Sequence, residues 1–228
     1  MRQYFQGTLD FACALYALLN ALALLRRLDL SGARDLFQGL FEELPSHPVL
    51  WRAFLRNETD HYWLVRHCLG RWRSIPSLAC HAEQPFASCL LPLPGDSLGA
   101  ARLHLPEAAP PRGPSGPGLA AEEAGAVWAV LASSLAFSNV TASTGPVALF
   151  RFHRFLPGMA LPVVSHWTCA CLLRDDVLHL RDASCEKEAL HRINKRDCLG
   201  ALSPPPVRIV PESLLFLRRA SALTAGAS

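Results

Sequence analysis

The sequence predicts an α+β fold, with helices first and an antiparallel β-sheet after them. Three observations carry this. Apolar residues recur at helical spacing through the first third of the chain. Proline then interrupts the middle, at positions 76, 85, 92, 94, 106, 110, 111, 114 and 117, and no helix persists through such a series. Beyond Gly145-Pro146 the pattern turns to short β-branched and aromatic runs separated by turn residues. Helices grouped before strands are the order of an α+β domain.

The first helix is expected over Ala14–Leu25, a run without charge and therefore surrounded by protein on most sides. Ser31-Gly32 breaks the pattern, and Ala33–Leu44 resumes it with Leu36, Phe37, Leu40, Phe41 and Leu44 on one face. Pro45 ends that helix. A further helical stretch runs from Val49 to about Trp72, with a break near Asn57. Residues 110–118 read as a flexible connector by composition. Ala120–Phe137 is the next helix. Strands are expected over Val147–Phe155, Val163–Leu173 and Val177–Ala183, with a turn at Arg174-Asp175-Asp176, and a short helix over Glu186–Lys195. Val207–Val210 is a strand, and Ser213–Arg218 is strand or helix.

With 228 residues, half of them hydrophobic, the chain can bury one good core, and a single domain is expected. It divides into a helical part (1–74), a Pro/Gly-rich excursion (75–119) and a helix plus sheet (120–228). The net charge of +3, from 22 basic and 19 acidic residues, is too balanced to suggest nucleic acid as a partner. None of the eight cysteines is spaced as CxxC, which argues against a zinc or thioredoxin-type site. His67-Cys68 and Cys80-His81 lack a third and fourth ligand nearby in sequence. Disulfides are not needed at this size, so a reduced, cytoplasmic protein is expected. The alternative is a secreted protein in which Arg2 and the apolar run form a signal. Asp10, Tyr16, Asn20 and Arg26-Arg27 count against that, and the run is too short to span a bilayer.

Chemistry concentrates at Cys13. It opens the first predicted helix, where unpaired N–H groups and the helix dipole favour a thiolate. A base is available late in the chain: His166 heads a strand in Val163-Val164-Ser165-His166-Trp167, and Asp182 lies on the returning strand. In this arrangement Cys13 is the nucleophile, and His166 takes its proton and later protonates the leaving group. Asp182 holds the imidazole in the useful tautomer. Gln6 and the Cys13 N–H donate to the oxyanion. One condition is strict, because side chains alternate along a strand. His166 and Asp182 share a face only if even residues stand opposite even ones, which needs an odd-length loop or a bulge at Arg174-Asp175-Asp176. Each residue also has a plainer reading: Cys13 as an inert buried thiol, His166 as a packing residue, Asp182 as a turn cap.

Gln6, Cys13 with the following Ala14-Leu15-Tyr16-Ala17-Leu18-Leu19-Asn20, His166-Trp167 and Asp182-Ala183 together resemble the papain-like cysteine peptidases, particularly the bacterial branch that removes double-glycine leaders from bacteriocins. The resemblance covers those motifs and the helix-then-sheet order; residues 30–145 have no counterpart in it. It implies a papain-like fold with the helical half packed on the sheet. It also implies a thiol hydrolase cleaving a peptide, isopeptide or related amide bond through a Cys-His-Asp triad, with a peptide or protein as substrate and no cofactor or metal. A catalytically silent binding module and an acyltransferase on the same triad are the alternatives.

Overall fold

Helix α1 (Cys13–Arg26) forms because its Ala- and Leu-rich sequence favours helix intrinsically and meets no charge until Arg26. From Ala12 to Leu25 every residue except Tyr16 is buried. The computed structural model describes residues 12–26, 28–55, 61–72, 75, 78, 80–86, 117–135, 145–181, 192–200 and 204–219.

Helix α2 (Leu30–Glu43) begins before the break expected at Ser31-Gly32. The reason is its cap: the Asp29 side chain accepts the Gly32 N–H at 2.8 Å, so Ser31 and Gly32 form its first turn. A 3-10 turn over Leu44–Ser46 takes up Pro45. Helix α3 (Pro48–Leu55) follows, with proline at its first position, where the missing N–H costs nothing. Helix α4 (His61–Trp72) comes next, so the stretch expected from Val49 to Trp72 is two helices. Aromatic rings tie α1, α2 and α3 together. Tyr16 lies 5.3 Å from Phe37, Phe37 stacks on Phe41 at 4.6 Å, and Phe41 meets Phe54 edge-on at 5.6 Å.

Strands β1 (Cys80–Glu83), β2 (Val147–Arg154), β3 (Val164–Arg174), β4 (Val177–Arg181), β5 (Arg192–Asn194), β6 (Val207–Ile209) and β7 (Leu215–Arg219) form one sheet. Its order is β1-β7-β2-β3-β4-β5, and β6 pairs with the end of β2 beyond β7. All these pairings are antiparallel. Helix α5 (Pro117–Leu135) precedes β2, and the short α6 (Lys195–Leu199) follows β5.

Three details depart from expectation. β1 falls inside the stretch read as an excursion; it is a short, mostly exposed edge strand held by β7, with no alternation to announce it. α5 starts at Pro117 rather than Ala120, again with proline at its first position. Where a helix was expected up to Lys195, Arg192–Asn194 is strand and Lys195 begins α6.

The sheet separates two apolar layers. Val147, Leu149, Trp167, Cys169, Leu215 and Leu217 belong to the layer shared with α1. Ala148, Phe150, Phe152, Ala170, Leu178, Leu180, Leu214 and Phe216 belong to the layer shared with α5 and α6. Odd residues of β2, β3 and β7 therefore face α1 and even ones face α5, as strand alternation requires. The fold is α+β with a helical layer on each side of the sheet. No helix among the described residues is long and apolar enough to cross a membrane.

Candidate functional site

Cys13 is the first residue of α1, and the Ala12 carbonyl accepts the Tyr16 N–H at 3.0 Å, closing the opening turn. Its own N–H is thus among those that no intrahelical carbonyl takes. Cys13 is 7% exposed and belongs to the α1 layer, together with Trp167 and Cys169. Two turns along, Asn20 is a buried polar residue on the same stripe of the helix.

β3 is the strand against which α1 packs most extensively, and it carries His166 near its start. His166 is 7% exposed and stands directly opposite Phe152 on β2. The two rings meet edge-on, centroids 6.0 Å apart, and the Arg154 guanidinium covers the Phe152 ring at 5.4 Å. Phe152 lies in the α5 layer, so His166 faces that layer too. The structure brings the helix of Cys13 and the strand of His166 together, with Cys13 in the α1 layer and His166 on the β3 face of Phe152. The residue that β3 turns toward α1 at this point is Trp167. Proton transfer needs hydrogen-bond reach, so a Cys13–His166 pair requires the imidazole to come round to the α1 side of β3.

Gln6 and Asp182 lie outside the described residues. The register that Asp182 requires can still be read from its neighbours. At the hairpin Arg174 faces Val177 and Leu173 faces Leu178, so odd stands opposite even, the arrangement of a plain two-residue loop. A bulge between Ala170 and Leu172 then absorbs one residue. Beyond it Cys169 faces Arg181 and Ala170 faces Leu180. Even now stands opposite even, so Leu178 and Leu180 share the face of Ala170 and His166. The bulge sits at Cys171 and not in the turn, which is the two-residue Asp175-Asp176 with φ of 51° and 58°.

Three other thiols, Cys68, Cys171 and Cys198, are held in the protonated form by burial. Burial pushes Cys68 up to about 12 and Cys198 up to about 12, the latter helped by Asp197. Burial also raises Cys171. These three are poor nucleophiles near neutral pH. His67 is engaged by Glu43, at 3.3 Å, and among the described residues no three His, Cys, Asp or Glu side chains gather as a metal site. A shallow cleft lined by Asp175, Asp176, Asn194, Lys195, Arg196 and Leu199 lies at the far end of β3 from His166, roughly 25 Å along the strand.

One group had little signal in the sequence. His153 on β2 stands opposite Ser165 on one side and Arg208 on the other, with Nδ1 buried and without a hydrogen-bond partner. Burial, then Arg151 and Arg208, pull it down to about 4, so it is neutral at physiological pH. The alternation Arg151-Phe152-His153-Arg154 was the only hint, because alternation puts His153 on the face of Arg151.

Compared with protein families, with curated proteins and with solved structures, the chain finds no match in any of the three.

Proposed function

We propose that the chain is a papain-like thiol hydrolase acting on a peptide, isopeptide or related amide bond, with Cys13 as its nucleophile. The observation that carries the reading is the place of Cys13: it opens α1, and α1 lies against β3. A thiol at a helix N-terminus has its thiolate favoured by the dipole and by unpaired N–H groups. His166 is the proposed base and then acid, Asp182 its orienter, and Gln6 with the Cys13 N–H the oxyanion donors. Attack of the Cys13 thiolate on the carbonyl would form an acyl-enzyme and release the amine with the proton held by His166. Water would then take the acyl group, leaving the thiol restored. No cofactor enters this scheme.

A second reading is favoured by the face of His166, which turns toward Phe152 and away from the α1 layer. In it the same framework is a binding module without catalysis.

Labelling with a thiol-directed activity probe separates them. The hydrolase reading expects Cys13 to react well ahead of the other cysteines, and His166→Ala, shown folded by circular dichroism, to lose that selectivity. Equal labelling of several cysteines, or labelling of Cys13 indifferent to His166, would leave the binding module.

A further inference from the structure

The connection between β2 and β3 is the most apolar exposed surface described in this chain. Leu156 is 54% exposed, Met159 44%, Leu161 72%, Val163 47% and Val164 40%. These are five of the eight exposed large hydrophobic residues among the described residues, and they fall within nine positions.

The segment is built to hold them outward. Leu156-Pro157-Gly158-Met159 closes as a turn, with the Met159 N–H donating to the Leu156 carbonyl at 3.1 Å. Proline occupies its second position and Gly158, at φ +79°, its third, the residues a type II turn requires. The Val163 N–H donates to the Arg154 carbonyl at 2.9 Å, and the Phe155 N–H to the Pro206 carbonyl at 3.0 Å. The root of the loop is thereby tied to the sheet, and the apolar side chains pay little ordering entropy on contact.

Its charge is one-sided. No aspartate or glutamate occurs between residues 124 and 174, and the root carries Arg151 and Arg154 on the two faces of the hairpin. Arg151 Nε donates to Ser165 Oγ at 2.8 Å and Arg154 covers Phe152; neither guanidinium is spent on a carboxylate in the ion pairs described. The nearby Arg208 is paired with Glu123 at 3.0 Å. An apolar prominence with cationic residues at its base matches a bilayer interface with anionic headgroups, where apolar side chains enter the acyl boundary and arginines remain at the phosphates. A peptide partner needs walls, and binding sites for such ligands are concave; here every residue from Leu156 to Ser165 is exposed. A second copy would need about 800 Å² per partner for a stable dimer, more than five partly exposed side chains offer.

We propose that the loop from Leu156 to Val164 is a membrane-surface anchor, inserting its apolar tip into an anionic lipid leaflet. The proposal stands apart from the thiol chemistry and is tested without it. The full chain is sedimented with vesicles of phosphatidylcholine alone and of phosphatidylcholine with about one-third phosphatidylglycerol. Expected are several-fold more protein bound to the anionic vesicles, a roughly tenfold loss of binding in Leu161→Asp, and no loss in Val49→Asp, an exposed apolar position on α3. A Leu161→Trp variant reports the site through its difference spectrum against the parent chain with its five tryptophans, the added emission shifting to the blue on anionic vesicles alone. Binding that Leu161→Asp leaves unchanged overturns the proposal, as does absence of binding to either vesicle. Self-association in solution that Leu161→Asp abolishes, without lipid binding, assigns the loop to a second copy and overturns it equally.

Discussion

Phe152 and His166 stand opposite each other across the β2–β3 ladder, their rings edge-on at a centroid distance of 6.0 Å. That pairing decides the face of His166. Everything proposed for its chemistry passes through it, because α1 and Cys13 lie against the other face. Arg154 over the same phenylalanine ring adds a cation–π contact to the arrangement.

The Asp29 cap sets where α2 starts. Asp29→Ala removes the acceptor for the Gly32 N–H and should cost about 1 kcal/mol, while Asp29→Ser should retain most of it. Urea unfolding of the three proteins measures this. Equal stability of Asp29→Ala and the parent would mean that packing alone sets the helix start.

The hairpin turn between β3 and β4 holds two aspartates at positive φ, a conformation in which glycine is unstrained. Asp176→Gly should raise stability by roughly 1 kcal/mol. It also removes the exposed ion pair with Lys195, which is worth little. An unchanged or lower melting temperature would refute the expectation.

Thr168 lies on β3 with no exposure, and its hydroxyl has no hydrogen-bond partner. A buried hydroxyl left unpaired costs free energy that an apolar replacement of the same shape recovers. Thr168→Val should therefore stabilise the protein by roughly 1 kcal/mol, read by thermal or chemical unfolding. Destabilisation would show that the hydroxyl is satisfied in solution, by water.

His153 should make the protein acid-sensitive. Its folded value of about 4 lies below the ordinary 6.5, so below pH 6.5 the unfolded chain takes up a proton that the folded chain refuses. The contribution of this residue is complete above pH 6.5 and is lost as the pH falls toward 4. The ring is half-buried, so the loss is on the order of 1 kcal/mol. His153→Phe should flatten the stability profile over that window by this amount. A parallel shift of the whole curve, with the slope kept, would assign the acid sensitivity elsewhere.

Helix α1 was legible in full, because a charge-free run of alanine and leucine states both its conformation and its burial. The strands β2, β3 and β4 were legible for the same local reason, as were the breaks at Pro45 and Gly145-Pro146. The edge strand β1 was not, since its four residues form a strand only because β7 offers a partner 133 or more positions away in the chain. The start of α2 depended on one side-chain hydrogen bond.

The candidate site divides along the same line. Residue types and spacing by themselves placed Cys13 in the first turn of a helix and His166 near the start of a strand; that this strand meets the helix came from the structure. They also set the condition that even must face even on the β3–β4 hairpin. Only the tertiary structure decided how the condition is met, through a bulge at Cys171, and only it decided which face of the sheet each side chain takes. The physical reason is the two-residue period of a strand. Which residues share a face follows from the sequence number, but which face is turned to α1 is chosen by how the helices pack on the sheet. For Cys13 the local sequence was sufficient; for His166 the packing of Phe152 had the last word.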